Sequence, residues 1–191
     1  MSAAVVIQEG NGASITYNTV SSARFNCADA YNPLLTNPNA IPSGGVGNLM
    51  RSWWKSFCLY FSGSFTQIDN IKVYTDGALG WTVGTSGLIQ VGVRDAGDNG
   101  CPIANYERAA GSSSTGYDID DAANGHDYFK DQTATPADLF DYTDGAELTL
   151  DTAAYDAEGR SDLLVCQLVV DGDGTLGAQA AETITFEYDE I

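Results

Sequence analysis

The densest set of groups able to do chemistry is YDIDDAANGHD (117–127), which holds four aspartates and the chain's only histidine, His126. On an extended segment Asp118 and Asp120 share a face. With Asp121 they offer the hard oxygen ligands that calcium takes. The plainer reading, a solvated acidic loop, is preferred. VDGDGTLGAQAAE (170–182) invites comparison with a calcium-binding loop through Asp171, Asp173, Thr175 and Glu182. Leu176 stands where the sharp turn needs glycine, and the flanks read as strands, so this segment is expected to be a turn. DAGDNG (95–100) is also read as a turn first. Calcium at Asp118, Asp120 and Asp121 is thus the one cofactor left open.

Nucleophilic catalysis needs an activated nucleophile, a base and an orienting group. His126 is the sole imidazole, no G-x-S-x-G elbow accompanies it, and the serines of GSSSTG (111–116) read as loop. Carboxylate pairs for glycoside hydrolysis are always available among 26 acids, but these acids sit mostly in turns rather than in apolar clefts that would raise a pKa. The expectation is no enzyme and no catalytic residue. Cys27, Cys58, Cys101 and Cys166 lie far apart with no C-x-x-C pair, against a zinc ribbon or redox motif. Cys58 and Cys166 fall in apolar runs and read as buried thiols. Cys27 and Cys101 fall in loop-like text, where a disulfide is the minority reading.

The elements that must position these groups are strands. The chain of 191 residues is 43% apolar and 18% charged, enough for one domain with a real core. AVVIQE (3–8) and ASITYNT (13–19) are expected strands joined by GNG, and ARFNCAD (23–29) is a further candidate. In SWWKSFCLYFSGSF (52–65), Phe57, Leu59 and Phe61 share one face while Trp54, Cys58 and Tyr60 share the other. That pattern predicts a strand covered on both sides. QIDNIKVYT (67–75), LIQVGVR (88–94), ELTLD (147–151) and LLVCQLVV (163–170) follow. ETITFEYDEI (182–191) closes the chain with Ile184, Phe186 and Tyr188 on one face. A terminus with such alternation is expected to be pinned into a sheet. ATPADLFDY (134–142) predicts a short helix or 3₁₀ turn started by Thr135-Pro136.

Two irregular stretches interrupt the strands. Residues 31–47 carry three prolines and repeated Asn and Gly, and read as an extended arm whose Leu34, Leu35 and Ile41 need burial on this subunit or a neighbour. Residues 96–146 read as an acidic loop insertion pinned by Tyr106, Tyr117, Tyr128, Phe129, Phe140 and Tyr142. The fold class expected is all-β: a single antiparallel two-sheet sandwich over 1–191, jelly-roll-like first and immunoglobulin-like second, with at most one short helix.

The net charge of −18, from 26 acidic and 8 basic residues, opposes binding to nucleic acid or to anionic membranes. MSAAVVIQEG lacks the pattern of a secretory signal, and no apolar run reaches the length of a membrane span, so synthesis in the cytoplasm as a soluble product is expected. Trp53, Trp54 and Trp81 with ten tyrosines offer faces for sugar rings, which makes a carbohydrate-binding module for host attachment the alternative reading. FTQIDNIKVY (65–74) is similar to an I-D-N-hydrophobic strand common in carbohydrate-binding jelly rolls, though there it typically closes the domain.

Two stretches, LYFSGSFTQIDNIKVYTDG (59–77) and LLVCQLVVDGDGTLGAQAAETITFEYDEI (163–191), resemble a pattern in β-sandwich virion structural proteins of tailed phages and related viruses. The resemblance covers roughly a quarter of the chain and its motifs are structural. It implies a non-enzymatic particle component: a capsid decoration or cement subunit first, with a turret or spike subunit or a tail component as the alternatives. Its partners would be further copies of itself and a major capsid or other virion protein, and its location the virion. On this expectation Leu34, Leu35, Ile41, Trp53 and Trp54 are the candidate contact residues. No catalytic residue carries over.

Overall fold

A computed structural model describes residues 2–31, 38–97, 99–175 and 177–191. Among these the chain is all-β, with two antiparallel sheets and two short 3₁₀ turns. The large sheet runs β2 (Thr16–Thr19), β1 (Ala3–Asn11), β4 (Lys55–Gly63), β10 (Leu164–Gly172), β6 (Leu88–Val91), β7 (Ala137–Asp138). In addition β3 (Gly45–Arg51) pairs with the second half of β10, and β9 (Gly159–Arg160) pairs with β4. The small sheet is β11 (Thr185–Glu190), β5 (Ile68–Tyr74) and β8 (Leu148–Asp151).

The alternation of β4 has the consequence its sequence predicts. Phe57, Leu59 and Phe61 point to the small sheet and pack with Ile68, Ile71, Val73, Leu148 and Leu150. Trp54 and Cys58 point the other way, into a second cluster with Cys101, Ala109, Ile119 and Phe129. Strand β10 repeats the division: Leu164, Cys166, Leu168 and Val170 join the first core, while Val165 and the preceding Leu163 join the second. The part of the insertion from Cys101 to Phe129 is therefore a third layer laid over the outer face of the large sheet and pinned by Phe129, whereas Phe140 packs into the first core and Tyr117 is exposed. Each fully buried aliphatic or phenyl side chain contributes about 1.5–3 kcal/mol, so covering both faces of β4 and β10 makes them the centre of the molecule.

The terminal strand is stitched in as expected. β11 pairs with β5, and Ile191 exchanges backbone hydrogen bonds with Gln67 at 3.0 and 3.2 Å. The register shifts between Glu187 and Asp189, opposite Asn70, which adopts a φ of 51° and donates from Nδ2 to the Asp189 carboxylate at 3.0 Å. Asparagine tolerates this left-handed geometry better than most residues.

Three elements differ from the sequence reading. ARFNCAD is not a strand; it makes one bridge, Asn26 to Pro38. Gly45 and Gly47, assigned to the arm, begin β3 with φ of 78° and 89°, a conformation whose composition reads as turn rather than strand. The 3₁₀ turn falls at Leu139–Asp141 and is capped by Asp138, whose Oδ1 accepts from the Phe140 amide at 3.0 Å, not by Thr135. The two residues before it pair with β6 instead of entering a helix. Among the described residues no helix is long and apolar enough to cross a membrane.

Candidate functional site

The small sheet covers only part of the large one, and the uncovered end of the first core opens as a cleft of about 690 Å³. Its floor is Ile7, Phe57, Leu164, Leu168 and Val170 of the large sheet. Its walls are Phe25, Ile41, Trp81, Val83, Ile184 and Phe186. Two residues singled out separately in the sequence, Ile41 and Trp81, thus line one site. Trp81 is fixed there: its Nε1 donates to the Ala180 carbonyl at 2.6 Å, and its ring meets Phe25 edge-on with centroids 6.4 Å apart. The loop 177–184 is held across from it by Gly80 N donating to Glu182 Oε1 at 3.0 Å and Thr82 N donating to Gln179 Oε1 at 3.2 Å. Phe25, and Val20 which also lines the cleft, were not legible as site residues, because nothing in their local pattern says which face they take.

The acidic segment does other work. Asp118 is ion-paired with Arg51 and accepts from Gln90 Nε2 at 2.6 Å. Gln90 also donates to Gln167 Oε1 at 2.8 Å, and Gln167 Nε2 donates to the carbonyls of Ser52 and Tyr117 at 2.6 and 2.8 Å. This network ties the third layer to the outer face of the large sheet. Gly116 is required at the same seam: its amide donates to the Arg51 carbonyl at 2.7 Å, and a Cβ there would meet the Ser52 carbonyl oxygen at 2.1 Å. Burial, and then the neighbouring Asp118 charge, hold the Asp120 carboxyl above the usual carboxylate range. Asp121 turns back on its own loop, Oδ1 accepting from the amides of Ala123 and Asn124 at 3.0 and 2.7 Å. Those amides hold it below the usual range.

The calcium reading of Asp118, Asp120 and Asp121 is therefore corrected, since Asp118 and Asp121 are spent on arginine, glutamine and backbone donors. Among the described residues no group of three or more His, Cys, Asp or Glu side chains is placed to hold a metal ion. In the segment 170–182, residues up to Gly172 close β10 and the chain turns at Asp173. Asp171 is buried; burial raises its carboxyl, but the amides of Gly172, Gly47 and Ser86 outweigh this and hold it low. Asp173 accepts from the amide and hydroxyl of Thr85 at 2.8 and 2.6 Å. Both side chains organise neighbouring loops.

His126 is fully buried, packed against Trp54 and Phe129 with ring centroids 5.6 and 5.1 Å away. Its Nδ1 accepts from the Tyr128 amide at 3.2 Å, and its Nε2 has no hydrogen-bond partner among the described residues. Burial pushes its pKa down to about 4. At neutral pH it is an uncharged core residue, and its 4.0 Å approach to Glu107 is not an ion pair. All four cysteines are free and buried. Burial pushes the Cys58 thiol up to about 12 and raises the other three, so none is poised as a nucleophile.

Of the five contact candidates, Ile41 lines the cleft, and Trp53 is half-buried with Nε1 donating to the Ser112 carbonyl at 2.9 Å. Trp54 is corrected: at 2% exposure, with Nε1 donating to the Glu107 carbonyl at 3.2 Å, it belongs to the second core and presents nothing to a neighbour. Leu34 and Leu35 lie outside the described residues. Comparison of the chain with protein-family models, with curated proteins and with solved structures gives no match in any of the three.

Proposed function

We propose that this protein is a non-enzymatic structural subunit of a virus particle, decorating the shell and receiving an apolar segment of a neighbouring subunit in its inter-sheet cleft. The observation that carries the reading is the cleft itself: both sheets contribute core-type side chains to its lining, so a neighbour's aliphatic or aromatic residues would complete the core of this one. Burial there supplies the favourable term for association, roughly 25 cal/mol for each Å² of apolar surface removed from water. Of the two phage-like strand motifs, 163–191 supplies Leu164, Leu168 and Val170 from β10 and Phe186 from β11 to this site, while 59–77 folds into the rest of β4 and β5 away from its lining.

Carbohydrate is the weaker occupant. A sugar site pairs an aromatic face with polar side chains free to bind hydroxyls. Here the Trp81 indole N–H, Gln179 and Glu182 already serve the backbone, and the Trp81 ring edge is taken by Phe25. The test is co-sedimentation of the purified chain with undecorated capsid shells from its source. Ile41→Asp, at the half-buried rim, is expected to weaken shell binding by about tenfold or more, equal to about 1.4 kcal/mol, with the far-UV spectrum unchanged. Equal binding by the variant, or glycan binding that Trp81→Ala removes, would overturn the reading.

A further inference from the structure

At the far end of the β1–β4 pair, three polar side chains are enclosed in the inter-sheet interior. Glu9, Asn11 and Lys55 expose 2%, 7% and 2% of their surfaces. The register pairs Glu9 with Phe57 and Gly10 with Ser56, so the next position sets Asn11 opposite Lys55. Alternation puts Glu9 and Asn11 on one face of β1, the face that meets Lys55 and Phe57 of β4. One oxygen, Glu9 Oε1, lies 3.3 Å from Lys55 Nζ and accepts from Asn11 Nδ2 at 3.0 Å. Lys55 Nζ is aimed further by the carbonyls of Ala28 and Ala30, at 3.1 and 3.3 Å. Asn11 Oδ1 is buried with no hydrogen-bond partner among the described residues.

An amine, a carboxamide and a carboxyl held together away from water are the components of an amide exchange. We propose that Lys55 and Asn11 condense into an intramolecular amide crosslink, with Glu9 carrying the protons. Glu9 takes a proton from the Lys55 ammonium, and the neutral amine attacks Asn11 Cγ. The new C–N bond forms as the carbonyl electron pair moves to Oδ1. Glu9 gives its proton to Nδ2 and takes the surplus one from Nζ. The carbonyl re-forms, the Cγ–Nδ2 bond breaks and ammonia leaves, departing as ammonium with the proton held by Glu9. One amide replaces another, so no oxidant, cofactor or nucleotide is consumed.

Three features favour the reaction. Strand register and the shared Glu9 oxygen bring both reactants to one point, replacing a chance encounter by preorganisation. A single carboxyl touching both nitrogens is placed for both proton transfers. A half-turn of the Asn11 amide about Cβ–Cγ keeps its shape and exchanges a donor for an acceptor. Turned over, Asn11 would accept at Oδ1 from the acid form of Glu9, which satisfies the orphaned oxygen and polarises the carbon under attack.

The experiment is mass spectrometry of the full, folded chain. The expected intact mass is lower than the sequence mass by one ammonia. Crosslinked Lys55 resists trypsin, so digestion should give a branched peptide joining residues 1–24 to residues 52–72. Glu9→Gln is expected to keep the full mass, and Asn11→Asp to reach the same crosslinked product by losing water. The wild-type measurement decides the matter even where a variant fails to fold. An unshifted mass would overturn the proposal. So would an ammonia loss with only linear peptides, the signature of ring closure at the Asn11–Gly12 bond.

Discussion

Acidification should loosen the third layer through His126, and the size of the effect follows from its burial. The imidazole ionises at about 4 in the folded chain against 6.5 when free. Between those values the unfolded chain binds a proton that the native chain refuses, so stability falls as pH falls. Above 6.5 the term vanishes. By pH 5 it amounts to about 2 kcal/mol, and below the folded value it levels at about 3 kcal/mol. Protonation would place a charge against Trp54 and Phe129, cost Nδ1 its hydrogen bond from the Tyr128 amide, and leave Glu107 and Asp127 as the nearest acids to answer it.

Because the chain holds one histidine, its ring resonances can be followed without ambiguity. An NMR titration of the folded protein should give a midpoint near 4, well below the free value. Urea unfolding at pH 7, 6 and 5 should show wild type losing about 2 kcal/mol relative to His126→Phe, whatever the variant's absolute stability. The comparison matters because Asp120 and Glu107, both raised mainly by burial, titrate with the opposite sign in both proteins. A midpoint near 6.5, or parallel stability profiles, would refute the reasoning.

Phe129→Ala should cost about 3–5 kcal/mol by emptying the second core, and limited proteolysis should then cut between residues 101 and 130 before the sheets unfold. Gln167→Leu takes one of two acceptors from Gln90 and removes the Gln167 donor from the Ser52 and Tyr117 carbonyls, so a loss of about 1–3 kcal/mol in chemical denaturation is expected. Millimolar calcium should leave the thermal midpoint unchanged, because binding to the native state alone would raise it; a rise that Asp118→Asn removes would restore the metal site. Raising salt from low to physiological strength should strengthen contacts between copies, seen by sedimentation, since screening beyond about 8 Å relieves like-charge repulsion.

The strands with a clean period were legible because alternation is a local consequence of pleating: β4, β5, β10 and β11 fall where their apolar residues demand. What the sequence concealed was partnership. Val46 to Met50 form a strand only because β10 is long enough to leave its second half unpaired by β4. Lys55, a charge within an apolar run, sits on the inward face beside Phe57, neutralised by an acid two strand positions before the end of β1. The acids at 118–121 have the ligand chemistry for calcium, and only the fold shows that Arg51 and Gln90 reach Asp118 first. Ile41 and Trp81, forty residues apart, meet because the loop at 177–184 closes one wall of the cleft.

The charge and the cleft together restrict what kind of neighbour can sit on this molecule. Copies that each carry −18 repel one another over the whole approach, so contact between copies must come from short-range burial once salt has screened the field. A basic partner faces the reverse balance: it is drawn in at long range and loses that advantage as salt rises. The cleft is uncharged on its floor, so it discriminates by shape and apolar area rather than by sign, and the net charge of the whole chain bears only on which partner arrives. On the proposed reading, a shell protein with a basic rim around an apolar arm would satisfy both conditions, whereas a second copy of this chain would satisfy only the second.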